Sequence, residues 1–236
     1  MNYSDQFEHV RENIQKAKEN SPYQQEVKLV CVTKNHAPSI VQSVLDNGEH
    51  CIGENRVQEF LTKYNAYKDH PDKLEYHLIG SLQSNKVKYI IDKVDLIHSL
   101  DRLSLAKEIN KRAKAIDRKM SCLIQVNVSK EDTKSGLYVD EVEAFVEKCL
   151  EYPNISIQGL MTMAPHTDDT DYIRKIFREL SKLREKISKK GYNELDMKYL
   201  SMGMTNDYTI AIEEGANIVR VGRSLFGQRD YSKRYY

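Results

Sequence analysis

Apolar residues recur every three or four positions over residues 3–20, with charged residues on the opposite face, and Pro22 follows. This spacing predicts an amphipathic helix at the start of the chain. Beyond it, short apolar runs alternate with segments of helical periodicity as far as residue 222. Eight of these runs have the length and β-branched composition of buried strands. They cover residues 28–34, 50–53, 75–80, 94–99, 120–129, 155–163, 197–203 and 217–222.

The alternation of strands and helices favours a parallel sheet, because parallel neighbours need a long crossover that a helix usually supplies. Eight such units in 236 residues fit a closed (β/α)8 barrel of the TIM type with an extra N-terminal helix. An open doubly wound sheet is the alternative, but it more often has about five or six strands, and no GxGxxG motif follows the first strand. No linker-like segment interrupts the pattern, so the sequence predicts one α/β domain over residues 1–236.

Composition and charge then remove several classes of function. With 36 Lys and Arg against 35 Asp and Glu, the net charge of +1 gives no overall attraction to nucleic acid or to an anionic membrane. No apolar run approaches the roughly 18–20 residues that cross a bilayer, and the polar start lacks the apolar segment of a signal peptide. We therefore expect a soluble, cytoplasmic protein without nucleic-acid or membrane partners.

The cysteines and histidines show no pattern of a metal site. The four cysteines form no CxxC pair, and three of them lie in apolar runs, which is typical of reduced, buried thiols. Among the seven histidines, His50 and His77 lie in predicted strands without a paired ligand motif. The sequence predicts no bound metal.

Lys34 is the first candidate for chemistry. In a (β/α)8 barrel the active site lies at the C-terminal ends of the strands, and Lys34 ends the first predicted strand. The apolar residues before it would partly desolvate its amine, which favours the neutral form that can build a Schiff base. A solvated lysine at a strand end is the alternative, and the residues alone leave it open.

Small residues at the ends of the seventh and eighth strands predict an anion site. The seventh strand ends with Ser201, Gly203 and Thr205, and the eighth ends with Gly222, each just before a predicted helix. Thr205 is expected to cap the helix that follows the seventh strand. Backbone N–H groups at such places bind anions, and these two loops form the usual phosphate site of the fold. Arg223 adds a positive charge. Simple turns are the alternative interpretation.

Three further residues lie in or after predicted strands. Arg220 lies between two valines of the eighth strand, where its burial requires an acceptor, either an ion pair or a ligand. Asn55 follows the second strand and either binds a ligand or makes a turn. His77 lies in the third strand, where a histidine is more often a hydrogen-bonded interior residue than a catalyst.

An amine and an anion site across one barrel mouth fit a phosphorylated carbonyl compound, of which pyridoxal phosphate is the obvious example.

Seven segments, in order along nearly the whole chain, closely resemble the YggS/PROSC family of pyridoxal phosphate homeostasis proteins. The resemblance implies a single barrel like the N-terminal domain of alanine racemase. The segments are VTKNHAP (32–38), GENRVQEF (53–60), HLIGSLQSNK (77–86), VNVSKEDTKSGL (126–137), GLMTM (159–163), LSMGMTNDY (200–208) and IVRVGRSLFGQRDY (218–231).

The resemblance also implies roles for seven of the candidates. Lys34 would carry pyridoxal phosphate as a Schiff base, and Arg220 would face the pyridine nitrogen. Near the phosphate would lie Ser201, Gly222 and Arg223, and near the ring Asn55 and His77.

Binding without catalysis is the predicted function. Racemisation needs a proton acceptor on one face of the substrate and a donor on the other. The resembling racemases take the second group from an additional β-domain, which we expect to be absent because the chain ends about ten residues after its last apolar segment. Tyr208 is the least unfavourable substitute. An arginine facing the ring nitrogen also leaves that nitrogen unprotonated and the cofactor a weak electron sink.

We therefore expect a monomer that buffers pyridoxal phosphate or delivers it to cofactor-dependent apo-enzymes. A low-activity amino-acid racemase is the alternative. An adaptor that uses the cofactor as a signal is a third possibility, and it would require an exposed apolar patch.

Overall fold

Eight parallel strands pair in chain order and close into a barrel, because the last strand pairs with the first. The computed structural model describes residues 3–192 and 195–228. Residues 229–231 of the last family segment therefore lie outside the described part. The strands are β1 (Lys28–Val32), β2 (Cys51–Glu54), β3 (Glu75–Leu78), β4 (Leu96–Leu100), β5 (Met120–Gln125), β6 (Ile155–Met161), β7 (Tyr199–Met204) and β8 (Ile218–Val221).

Helices join the strands, and one more helix precedes the barrel. The predicted (β/α)8 fold with an N-terminal helix is confirmed. The helices are α1 (Ser4–Asn20), α2 (Ile40–Asp46), α3 (Val57–Tyr67), α4 (Leu103–Lys114), α5 (Val142–Cys149), α6 (Thr170–Ser188), α7 (Tyr208–Glu213) and α8 (Arg223–Phe226), with 3-10 turns at Ser84–Tyr89 and Val139–Glu141.

Two details differ from the sequence-based expectation. The first strand ends at Val32, so Lys34 lies two residues beyond it in a turn, where Asn35 has a left-handed φ of 60°. Thr205 does not cap the helix that follows β7. That helix begins at Tyr208, and the carboxylate of Asp207 accepts a hydrogen bond from the backbone N–H of Met204 at 2.6 Å.

The barrel has an inner and an outer core. Alternate residues of each strand face inward, as in every closed barrel. The large outer core lies between the barrel and the helices. The inner core is a small apolar cluster within the barrel and consists of Val30, Cys51, Leu96, Leu123, Met161 and Ile218.

Helix α1 packs against α7 and α8 on the outside of the barrel. The ring of Phe7 lies 5.8 Å from that of Phe226, and the ring of Tyr3 lies 5.6 Å from it, both edge-on. Edge-on pairs of this kind add to the apolar burial of the rings. The predicted amphipathic face thus attaches the N-terminal helix to α8, which begins at Arg223 beside the barrel mouth.

Two sequence-based expectations bear on environment. Across the described residues, no helix combines the length and apolar character that crossing a bilayer requires. All four cysteines are buried and unpaired, as the sequence predicts for reduced thiols.

Candidate functional site

A cavity of about 850 Å³ opens at the C-terminal end of the barrel. Its volume lies within the range of about 300–1,000 Å³ that is usual for small-molecule sites. Five of the eight predicted site residues line it. They are Lys34, Asn55, Arg220, Gly222 and Arg223.

The other three predicted residues do not line the cavity. His77 and Ser201 lie in the barrel interior, where they are at most 1% exposed. Gly203 has a φ of 93°, and a Cβ there would lie 2.7 Å from that of Ala211 and 2.8 Å from the Cα of Tyr208. Glycine is therefore needed at this position for α7 to approach β7, and its place in the structure is explained without a ligand.

The turn that carries Lys34 is held on both sides by helix α3. The carbonyl of Thr33 accepts a hydrogen bond from Lys63 Nζ at 2.7 Å. The backbone N–H of Asn35 donates to Glu59 Oε2 at 2.6 Å. Because the peptide groups before and after Lys34 are both bonded to one helix, the position of the lysine at the cavity wall is fixed from behind.

Lys63 and Glu54 form an ion pair in the core, where their side chains are 2% and 1% exposed. The two charged atoms are 2.5 Å apart, and Thr33 Oγ1 donates to the same carboxylate oxygen at 2.5 Å. Among the described residues, the second oxygen of Glu54 has no partner. Burial raises the pKa of Glu54, and the charge of Lys63 opposes that rise. The pair must therefore stay intact for the carboxylate to remain ionised.

Neither residue that α3 contributes is among the site residues predicted from the sequence. Glu59 and Lys63 are four residues apart, which places them next to each other on α3, and both are buried. Charged residues are rarely buried without partners. The pair of opposite charges at this spacing was the available signal, but it is equally typical of a solvated helix face, so only the structure reveals their contacts behind Lys34.

Arg220 places a buried positive charge at the cavity. Its side chain donates to Ser201 Oγ at 2.5 Å and to the carbonyl of Thr162 at 2.9 Å, and the residue is 4% exposed. Burial lowers its pKa to about 10, while the nearby Asp207 carboxylate opposes that change. The guanidinium is still protonated at neutral pH, so it can donate hydrogen bonds to a ligand but cannot accept one.

A second group of polar residues lies toward the opposite end of the barrel. Cys51, Glu75 and His77 place potential metal-ligand atoms within 4.8 Å of one another. Both oxygens of Glu75, however, accept hydrogen bonds from Lys28, at 2.5 and 2.6 Å, and one of them lies 2.8 Å from His77 Nε2. An ammonium group thus already neutralises the carboxylate of this cluster.

The comparisons with known proteins agree with this geometry. Residues 6–230 match the alanine racemase N-terminal domain family. A pyridoxal phosphate homeostasis protein of Aquifex aeolicus is 45% identical over 98% of this chain and 100% of its own length. The PLP-bound structure of PipY from Synechococcus elongatus is 30% identical, with a TM-score of 0.80 over 92% of this chain and 99% of its own. An alanine racemase of Clostridium difficile 630 shares the fold at 15% identity, with a TM-score of 0.73 over 96% of this chain and 58% of its own.

Fold and site first define a class, namely a barrel of the alanine racemase N-terminal type whose mouth brings a lysine and a buried arginine to one cavity. Within that class, the chain belongs to the family of pyridoxal phosphate homeostasis proteins. The family inferred from the seven sequence segments is confirmed.

Lys63→Met tests the ion pair behind the Lys34 turn. The variant leaves the Glu54 carboxylate buried without its counter-ion, which costs about 3–5 kcal/mol of unfolding free energy. The loss should shrink as the pH is lowered, because a protonated Glu54 no longer needs a cation. Urea unfolding at pH 7 and pH 5 measures both effects. Lys68→Met is the control, since Lys68 pairs with Asp69 in solvent at the end of the same helix, and it should change stability little. Equal losses in the two variants would contradict the structural role of Lys63.

Glu75 should make stability depend on pH. Its hydrogen bond with His77 is the largest of the effects that lower its pKa, which falls to about 2. The unfolded value is about 4.3, so the stabilisation is complete above that pH and is lost as the pH falls toward 2. We expect the difference in unfolding free energy between wild type and Glu75→Gln to shrink over this range. The exposed Glu151→Gln variant accounts for charge removal alone, and a constant difference for Glu75→Gln would contradict the prediction.

Proposed function

We propose that this protein binds pyridoxal phosphate as a Schiff base on Lys34 and holds it for buffering or delivery, without turning over a substrate. The observation that carries the proposal is that Lys34 and the buried guanidinium of Arg220 line the same cavity. The name of the Aquifex aeolicus relative and the PLP-bound structure of PipY support this choice of cofactor.

The cavity offers a partner for each polar part of the cofactor. The amine of Lys34 can condense with the aldehyde and release water. Gly222 and Arg223 follow β8 at the cavity wall, where backbone N–H groups and a positive charge suit a phosphate. Asn55 lines the wall after β2 and can donate or accept a hydrogen bond. Arg220 can donate to the pyridine nitrogen. When bound, the cofactor supplies an electron sink for carbanion chemistry.

Two features favour holding over turnover. Arg220 keeps its protons at neutral pH, so a ring nitrogen that faces it stays unprotonated and the electron sink is weak. Tyr208, the expected substitute for a second acid–base group, does not line the cavity, and its hydroxyl accepts a hydrogen bond from Asn13 at 3.2 Å. A low-activity racemase, the alternative function, would have to use another group of the wall, such as the imidazole of His166.

We place the protein in the cytoplasm, since its four buried, unpaired thiols fit a reducing compartment. It would act as a single-domain monomer, and its partners would be enzymes that lack their pyridoxal phosphate.

Lys34→Ala tests the proposed attachment. Adding pyridoxal phosphate to the wild type should give a visible absorption band, and borohydride should fix the cofactor to the peptide that contains Lys34. The variant should lose both signals completely, because it has no amine at that position. Lys88→Ala is the matched control, since Lys88 is exposed on the 3-10 turn after β3 and lies outside the cavity. A band that survives in Lys34→Ala, or label spread over surface lysines, would contradict the proposal.

A further inference from the structure

A line of hydrogen-bonded polar side chains crosses the barrel interior beneath the cavity. Arg220 donates to Ser201 Oγ at 2.5 Å, and that oxygen lies 2.9 Å from His98 Nδ1. His98 Nε2 lies 3.0 Å from His77 Nδ1, and His77 Nε2 lies 2.8 Å from Glu75 Oε1. The first four side chains of this line belong to residues that are at most 4% exposed. Each hydrogen bond of the line therefore contributes to stability, because a buried group that loses its partner is not hydrated by bulk water instead.

The two ends of the line fix the direction of every hydrogen bond in it. A guanidinium only donates, so Ser201 accepts from Arg220 and can pass its own O–H to His98 Nδ1. His98 then carries its proton on Nε2 and donates to His77 Nδ1. His77 in turn carries its proton on Nε2 and donates to Glu75, whose carboxylate only accepts. One arrangement with two neutral imidazoles satisfies all four contacts.

Other proton arrangements leave a buried group without a partner. A reversed line with neutral imidazoles would set a ring nitrogen lone pair of His77 against the Glu75 carboxylate. A cationic His77 would remove that clash, but His98 would then donate to Ser201, whose own O–H would have no acceptor among the described residues. A charge on His98 is also disfavoured, since burial above all lowers its pKa well below the ordinary value.

We propose that His98 and His77 are positioning residues. Their hydrogen bonds connect Glu75 to the Ser201 hydroxyl, and this hydroxyl holds the Arg220 guanidinium in the orientation that suits the ring nitrogen of the cofactor. Lys28 completes the line at the far end, where it donates to both oxygens of Glu75. Among the described residues, the other acceptor of the guanidinium is the carbonyl of Thr162, so a Ser201 hydroxyl that His98 no longer holds leaves the orientation of the guanidinium less fixed. The inference rests on the proposed cofactor, but the proton arrangement itself does not.

The first test measures that arrangement directly, without a cofactor. Long-range proton–nitrogen NMR spectra of the wild type at neutral pH should show both His98 and His77 protonated on Nε2 and unprotonated on Nδ1. The spectra of His98→Gln and His77→Gln assign the signals. A proton on Nδ1 of His98, or a cationic ring at either position, would overturn the proposal.

The second test measures binding. His98→Phe removes the acceptor of the Ser201 hydroxyl and should weaken pyridoxal phosphate binding by about tenfold or more, the range of one hydrogen bond to a charged group. The variant should bind the 1-deaza analogue, which lacks the ring nitrogen, nearly as well as the wild type does. A purely structural defect would weaken both ligands equally. His98→Gln, which keeps an acceptor and a donor on one side chain, should recover most of the loss.

Ser99→Ala is the control for the neighbouring position, because its buried hydroxyl has no hydrogen-bond partner among the described residues. It should bind both ligands as the wild type does. Equal weakening of both ligands by His98→Phe, or no weakening of either, would refute the positioning role. If His98→Phe does not fold, the NMR result on the wild type decides. A wild type that does not bind pyridoxal phosphate would refute the proposed function instead. The proton positions on both imidazoles could still be measured by NMR in that case.

Discussion

The buried ion pair between Lys63 and Glu54 is the constraint on which the candidate site depends. Removing two charges from water is costly, and the attraction between them compensates only when further hydrogen bonds complete the geometry. Here those bonds come from Thr33, whose hydroxyl and carbonyl both contact the pair. Glu59 holds Asn35 from the same helix. Loops at barrel mouths are usually the mobile part of the fold, but this turn is bonded to the core, and Lys34 keeps its place at the cavity.

Two groups of side chains, one apolar and one polar, lie in the barrel interior between the cavity and the opposite end. The apolar inner core occupies one part of the space, and the polar line from Arg220 to Glu75 occupies another. Charges occur only at the ends of that line, where the cavity or Lys28 provides a counterpart. This arrangement satisfies the buried polar groups of the line and leaves the donor-only guanidinium of Arg220 at the cavity.

The sequence predicts the fold well because alternation of strands and helices is a local signal that survives in eight separate segments. It predicts Lys34 and Arg220 as cavity residues, since each stands out from an apolar strand. It does not predict His98, because its partners Ser201 and His77 belong to other strands and become neighbours only when the barrel closes. It does not predict Lys63 either, because a lysine four residues after Glu59 is equally typical of a solvated helix face. For the same reason Ser201, expected near a phosphate, contacts Arg220 below the cavity instead. The geometry of the closed barrel, with its inward and outward positions, decides these cases.

We propose that this barrel holds pyridoxal phosphate without using it as an electron sink. The most direct measurement incubates the loaded protein with L-alanine in deuterium oxide and follows deuterium at the α-carbon by NMR. We expect no incorporation beyond that seen with Lys34→Ala. Deuterium that enters at a clearly higher rate in the wild type, together with D-alanine as product, would refute the holding role and assign the protein to the racemases.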